Sequence, residues 1–228
     1  MSLFNRISLL VLFSIAGQFL TAQTTTNVLT VPAGNQPSKI NIDGTTILPS
    51  GRFVTPAGDF VRITHDPFGM DISPDGKKAV TLHNGVFTII DLQSLQTTRV
   101  PSYDGKIKSP LSKGSFLGVA FANDSKTVYL SGGDNGAVIS YDIEKLALID
   151  SISLNGTVDG TDYEDSFTSD LILNNDKNEL LVLDRGNFRM VRIDLNTKKI
   201  KASVNVGRQP FGLILSPDKK TALVAMWA

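Results

Sequence analysis

Four similar segments constrain the fold of this chain more than any other feature of its sequence. The segment at 67–80, PFGMDISPDGKKAV, returns at 210–224 as PFGLILSPDKKTALV, and two looser copies lie between them. Aligned on one turn aspartate, successive copies are 49, 52 and 42 residues apart. The four turn aspartates are Asp75, Asp124, Asp176 and Asp218. A period of roughly 40–50 residues indicates a repeat architecture in which each copy is one supersecondary unit.

A second aspartate follows each of the first three turn aspartates, at the end of an apolar run. These residues are Asp91, Asp142 and Asp194, and we expect each carboxylate to cap the turn that follows it. Insertions at 100–115 and 155–166 lengthen two copies beyond the bare unit of 42 residues. Both insertions fall at the same place in their repeats, between the end of one copy and the start of the next.

Each copy contains four short apolar runs, which in the second copy are GVAFA, TVYLS, AVISYD and ALIDSISL. Val, Ile, Tyr, Phe and Thr dominate these runs, as is typical of β-strands, and the short polar links between them favour antiparallel hairpins. No helical period longer than one turn follows residue 25.

An isolated four-stranded sheet leaves two apolar faces uncovered, and stacking copies around an axis covers both. The sequence therefore predicts an all-β fold, a β-propeller of four-stranded antiparallel blades. The alternative is a β-sandwich, which would not need the same turn sequence four times.

The last copy reaches only its second strand, so residues 63–228 are expected to form about 3.5 to 4 blades of a partial ring. We expect the chain to be a fragment of a longer protein, because an open arc exposes apolar faces and strand edges. Residues 23–228 expressed alone should then aggregate or remain molten. The alternative is a short protein that closes its ring by oligomerising.

The N-terminus has the layout of a secretory signal peptide at 1–22. Arg6 precedes an apolar run from Ile7 to Ala16, and Ala22 provides a small residue for cleavage. The alternative is a membrane anchor, but the run is shorter than the roughly 20 residues that a spanning helix needs. We therefore predict a secreted or periplasmic protein with no membrane span after processing. Residues 23–62 form a lead-in that could supply an outer or closing strand.

Composition limits the chemistry of the chain. The 22 basic and 22 acidic side chains balance, which argues against a broad basic surface for nucleic acid. The absence of cysteine excludes disulfides, thiolate catalysis and zinc–sulfur sites, and two histidines are too few for a histidine-rich metal site.

The repeat resembles the YVTN-type β-propeller repeat, which has a Pro-Gly start, a Ser-Pro-Asp-Gly-Lys turn and an Ile-Asp after the third strand. Pro67, Gly69, the turn at 73–77, Ile90 and Asp91 match it. The lead-in at 46–60, TILPSGRFVTPAGDF, is similar to that of secreted bacterial proteins that join a YncE-like propeller to a C-terminal phosphoesterase of the alkaline phosphatase superfamily. The resemblance implies that metal-dependent phosphate chemistry lies in a following domain. The resemblance implies a divalent metal in the missing domain. For this segment it implies no catalytic residue, metal or cofactor.

In a propeller, the loops from strand two to three and from strand four to the next blade lie on one face, which is the default binding surface. We expect a small-molecule or protein ligand there, and the rest of the chain as a further partner. The candidate ligand-binding residues are His83, Asn84, Asp134, Asn135, Asp184 and Arg185, with Asn187 beside them. The alternative for each is a turn residue that satisfies its own backbone.

Three further features favour structural roles over functional ones. The acidic cluster of Asp159, Asp162, Glu164 and Asp165 lacks the alternating spacing of a calcium loop and is interpreted as a solvated loop. A hydrolytic triad built on His83 is disfavoured because no G-x-S-x-G elbow is present. Trp227 is interpreted as blade packing.

Two functions remain open from the sequence. The first is an exported propeller module that binds a ligand or docks a C-terminal phosphoesterase domain. The second is a propeller lactonase that hydrolyses sugar lactones.

Overall fold

The computed structural model describes residues 29–41, 44–55 and 57–227, and none of these residues lies in a helix. The predicted signal peptide at 1–22 falls outside the described residues. Among the described residues there is consequently no helix that could cross a bilayer. The chain divides into two compact units, Met1–Gly58 and Asp59–Ala228.

The first unit contains a small hairpin. Strand β1 (Thr46–Ile47) pairs antiparallel with β2 (Phe53–Val54), and Lys39 forms an isolated bridge with Ile47. These elements lie within the lead-in predicted at 23–62. Its role as an outer or closing strand stays a prediction.

The second unit is built from antiparallel sheets whose strand order follows the chain. The first sheet contains β3 (Gly69–Ile72), β4 (Lys78–His83), β5 (Val86–Asp91) and β6 (Thr97–Val100). The second contains β7 (Val119–Phe121), β8 (Thr127–Ser131), β9 (Ala137–Asp142) and β10 (Ala147–Ser153). The third contains β13 (Thr168–Asn174), β14 (Glu179–Asp184), β15 (Arg189–Asp194) and β16 (Lys199–Asn205). A two-stranded sheet of β17 (Pro210–Leu215) and β18 (Ala222–Met226) ends the unit.

The all-β prediction and its blades are confirmed, with three complete four-stranded sheets and half of a fourth. The described residues form no closed ring. One element was not predicted: β11 (Gly156–Val158) and β12 (Thr161–Tyr163) form a separate hairpin inside the second insertion.

The repeated aspartates organise the turns as predicted. Asp91 Oδ1 accepts hydrogen bonds from the backbone N–H groups of Gln93 (3.1 Å) and Ser94 (2.7 Å). Asp142 and Asp194 accept equivalent pairs of backbone bonds in the second and third sheets. A hydrogen bond from Lys78, followed by those from Ser94, lowers the pKa of Asp91 far below its usual value. The sequence repeat is therefore a repeat of turn chemistry.

The sheets pack face to face. Because side chains alternate along each strand, one sheet contributes apolar residues to the cores on both of its faces. In β7, Val119 and Phe121 belong to the core between the first and second sheets, whereas Ala120 belongs to the core between the second and third. A third core, containing Leu183 and Leu213, joins the third sheet to β17–β18. We call these three apolar interfaces seams 1, 2 and 3.

Strands β3, β7, β13 and β17 are the first strand of each sheet, and each pairs with one neighbour only. We call them the inner strands because consecutive members contact one another across the seams. The Gly69 N–H donates to Phe116 O (2.9 Å), and the Gly118 N–H donates to Ser169 O (3.0 Å). Asp170 accepts a bond from the Leu213 N–H (2.8 Å). These bonds fix the spacing of successive sheets.

Candidate ligand-binding face

The loops between the second and third strands contact the connections between sheets. In the first sheet, Asn84 Oδ1 accepts from the Gly114 N–H (2.6 Å), and Gly85 O accepts from the Ser109 hydroxyl (3.0 Å). Both donors lie in the connection between β6 and β7. The loop and the first insertion therefore share a face of the second unit.

The same arrangement recurs in the next two sheets. The Ser112 hydroxyl donates to Gly132 O (2.8 Å) in the β8–β9 loop. In the β14–β15 loop, Asn187 Nδ2 donates to Glu164 O (3.0 Å), which lies in the second insertion. We define the loop face as residues 84–85, 132–136 and 185–188 with the connections at 101–117 and 154–167.

The exposed candidates on the loop face are Asn84, Asp134 and Asn135. The Asn135 side-chain oxygen accepts from the Ala137 N–H (3.1 Å), so Asn84 and Asn135 each use one oxygen to hold backbone. Their amide N–H groups remain available as donors. The Asp134 carboxylate has no ion pair or hydrogen bond with any described residue, and it can receive one from a ligand.

His83 is not on the exposed surface. It is the last residue of β4, its ring is fully buried, and Nδ1 lies 2.8 Å from the His65 carbonyl oxygen. Nε2 lies 3.0 Å from the Thr81 hydroxyl. Burial lowers the pKa of His83, so the ring is neutral near pH 7. In this position the side chain ties β4 to the segment before β3.

Asp184 is also fully buried, in an ion pair with Arg189 Nε at 2.8 Å. The same carboxylate accepts bonds from the Ser166 hydroxyl (2.8 Å) and the Phe167 N–H (3.0 Å). Arg189 Nη2 donates to Leu154 O (2.6 Å). The pair therefore anchors both ends of the second insertion beneath the loop face.

Arg189 was not among the residues predicted from the sequence. It opens a strand that otherwise reads as an ordinary blade strand, and its guanidinium carbon lies 3.5 Å from the centre of the Tyr163 ring. Only the fold brings Asp184, Tyr163 and this arginine together. The sequence does contain one signal for this role, a charged residue inside a strand. Such a residue is rarely buried without a partner.

Arg185 lies on the loop face and is half-buried. Its Nε donates to Gln209 Oε1 (2.5 Å), and its guanidinium carbon lies 5.9 Å from the centre of the Phe167 ring. Arg185 therefore links the third sheet to the residue before β17 and lies within the range of a cation–π contact.

A phenylalanine lies within three residues of the start of every inner strand. The four residues are Phe68, Phe116, Phe167 and Phe211. Phe68 and Phe116 pack edge to face with ring centres 5.6 Å apart, and the Phe167 ring lies against Gly114. We call this set the phenylalanine arc. The sequence signal for this set is the PFG of the first and last copies and the SF that precedes the two middle copies.

Part of the phenylalanine arc is open to solvent. Phe68 is 59% exposed and Phe211 is 36% exposed. Trp227, whose ring centre is 5.3 Å from that of Phe211, is 75% exposed. Among the described residues, the Trp227 indole lies outside the seams and beside the arc, and its interpretation as blade packing stays a prediction.

The acidic residues of the second insertion lie on the exposed hairpin β11–β12 and its flanks. Asp162 accepts a bond from the Thr157 hydroxyl (2.5 Å). Within the described part of the chain, His, Asp and Glu form no group of three placed to hold a metal ion.

Comparison with known proteins shows the fold. No protein-family profile matches the chain, and no curated protein matches it. Among solved structures, the chain is similar to Kuenenia stuttgartiensis hydrazine synthase, with a TM-score of 0.57 and 18% sequence identity. The likeness covers 76% of this chain and 45% of that one, so the chain spans less than half the length of this neighbour. At this identity the likeness supports propeller-like blades and carries no function.

Proposed function

We propose that this protein is an exported β-propeller module that binds a ligand on the loop face, with the phenylalanine arc as its apolar floor. The observation that carries the proposal is that each repeat has a phenylalanine seven to nine residues before its turn aspartate, with at least two of the rings partly exposed.

The polar groups around the arc complement such a floor. Arg185 supplies a cation, Asp134 supplies a carboxylate without a partner among the described residues, and the amides of Asn84 and Asn135 supply donors. A ligand with one flat apolar side and a hydrogen-bonding edge satisfies both sets of groups. Small molecules with a planar ring and protein segments with an aromatic side chain have this chemistry.

Export and the identity of the larger partner rest on the sequence. The N-terminal pattern at 1–22 supports secretion or a periplasmic location, and the lead-in at 46–60 supports docking to a C-terminal phosphoesterase domain. Under this proposal the divalent metal belongs to that domain. This segment positions a ligand or the partner domain and carries no catalytic group.

The test is a nuclear magnetic resonance titration of the protein with small planar compounds such as indole and with glucono-lactone. We expect indole to shift the amide signals at 84–85, 132–136 and 185–188. The double variant Phe68→Ala/Phe211→Ala should weaken binding at least tenfold, whereas Phe53→Ala, an exposed phenylalanine in the first unit, should leave it unchanged. Shifts confined to other surfaces, or unaltered by the double variant, would contradict the proposal.

The lactonase alternative is tested in the same samples. If the protein hydrolysed glucono-lactone, the non-catalytic assignment would fail. Within the described part of the chain, no three His, Asp or Glu side chains lie together in a way that could hold a metal ion for that reaction.

A further inference from the structure

An open groove of about 560 Å³ lies beside seam 1, and none of the phenylalanines of the arc lines it. On one side it is lined by the first insertion at 106–110, and on the other by the β9–β10 turn and the start of β10. Lysines provide the polar part of the wall. They are Lys106, Lys108 and Lys145.

The floor of the groove includes Tyr141, which comes from within seam 1. Its side chain is 1% exposed, and its ring packs edge to face on Phe87 with centres 5.0 Å apart. The hydroxyl has no hydrogen-bond partner among the described residues. Burial raises the pKa of Tyr141 to about 12, so the group keeps its proton and is a donor. A buried hydroxyl without a partner is uncommon in folded proteins.

The charges at the rim are only partly balanced. Lys106 pairs with Asp104 (3.0 Å) and Lys145 with Asp142 (3.1 Å), both with highly exposed ammonium groups. Lys108 forms no ion pair with a described residue. Exposed pairs of this kind are weak, so the three ammonium groups leave the groove positive.

The remaining lining is apolar. Ile107 and Leu146 are partly buried against the seam 1 core, Pro110 lies beside them, and Leu148 is half-exposed. Since the Tyr141 hydroxyl has almost no surface open to water, a ligand reaches it only when a side chain that packs against seam 1, such as Ile107 or Leu146, shifts. A ligand for this groove therefore needs an apolar body to replace those contacts and an anionic head.

We propose that the groove is a binding site for an amphipathic carboxylate, whose head group accepts the Tyr141 hydroxyl hydrogen bond beside Lys108 and whose apolar body lies along Ile107, Leu146 and Leu148. The groove uses residues 106–110, which also belong to the loop face, but its lining includes none of the phenylalanines or polar candidates proposed to bind the loop-face ligand. Its lysines and apolar residues come from two elements that only the packing of the first insertion across seam 1 brings together.

The test is a titration of the protein with octanoate by calorimetry, with octanol and acetate as matched probes. We expect saturable binding of octanoate, and at least tenfold weaker binding of octanol, which lacks the charge, and of acetate, which lacks the apolar body. Tyr141→Phe and Lys108→Gln should each weaken octanoate binding about fivefold or more. Tyr129→Phe, in the same sheet but packed in seam 2, should not change it.

A melting-temperature measurement separates binding from a purely structural role. Tyr141→Phe removes a hydroxyl that has no partner among the described residues, so the variant should melt no lower than the parent protein while losing octanoate affinity. Failure of octanoate to bind, equal binding of octanol, or affinity unchanged by Tyr141→Phe and Lys108→Gln would overturn the proposal. Loss of indole binding at the loop face would leave these results unaffected, so the two sites fail separately.

Discussion

At the scale of single residues, the stability of this protein should be most sensitive to changes in its buried ion pair. Asp184→Asn should destabilise the fold by about 3–5 kcal/mol, because it leaves the fully buried Arg189 without its counter-charge. Urea unfolding measures the change. The matched control is Asp176→Asn, whose surface pair with Lys219 at 2.8 Å should contribute at most about 1 kcal/mol. Equal effects in the two variants would show that Asp184 is solvated.

His83 predicts a pH dependence with a definite sign. Its folded pKa is lowered, so the unfolded chain binds the proton more readily, and the stabilisation is complete above about pH 6.5. As the pH falls below that value, the free energy of unfolding should decrease. His83→Gln should flatten the curve below about pH 6.5. His65→Gln, an exposed side chain, should keep the decrease, and a decrease that survives His83→Gln would contradict this assignment.

At the scale of elements, the inner strands approach too closely for a side chain at one position. A Cβ atom added to Gly69 would lie 2.1 Å from the Leu117 carbonyl oxygen, which is backbone and cannot turn away. Gly69→Ala should therefore cost about 1–3 kcal/mol by forcing β3 away from the next sheet. Gly58→Ala, where a Cβ meets no atom within 4 Å, is the control and should change the free energy of unfolding by less than about 0.5 kcal/mol.

The elements were the most predictable part of the molecule. Turn chemistry and strand alternation are local, so the apolar runs of the second copy became β7 to β10 with ends shifted by about one residue. For His83, an error of one residue in the end of a strand changes the predicted role. The sequence predicts a loop residue, but His83 is the last residue of β4 and is buried. Hairpin β11–β12 turns on Asp159-Gly160, and Asp184 lies opposite Arg189 across the β14–β15 hairpin, so both features have a local signal that was not used. The packing of Tyr163 and Ser166 on this ion pair depends on the position of the second insertion, which no local pattern encodes.

At the scale of the whole molecule, the sequence repeats because each sheet has two apolar faces that neighbouring sheets must cover. Seams 1 and 2 take side chains from alternate positions of the second sheet, so this sheet is covered on both faces. The sheet of β17 and β18 is covered by seam 3, while Ile214 and Leu223 are 63% and 59% exposed. The loop face exists because stacking brings the same end of every sheet to one side.

The contact between Phe87 and Tyr141 tests this stacking most directly. Phe87 lies in the first sheet and Tyr141 in the second, and their ring centres are 5.0 Å apart. We predict nuclear Overhauser effects between the ring protons of Phe87 and Tyr141 in solution. If these signals are missing, and backbone contacts instead join β6 to β7 as neighbours in one continuous sheet, the face-to-face arrangement of the blades is wrong.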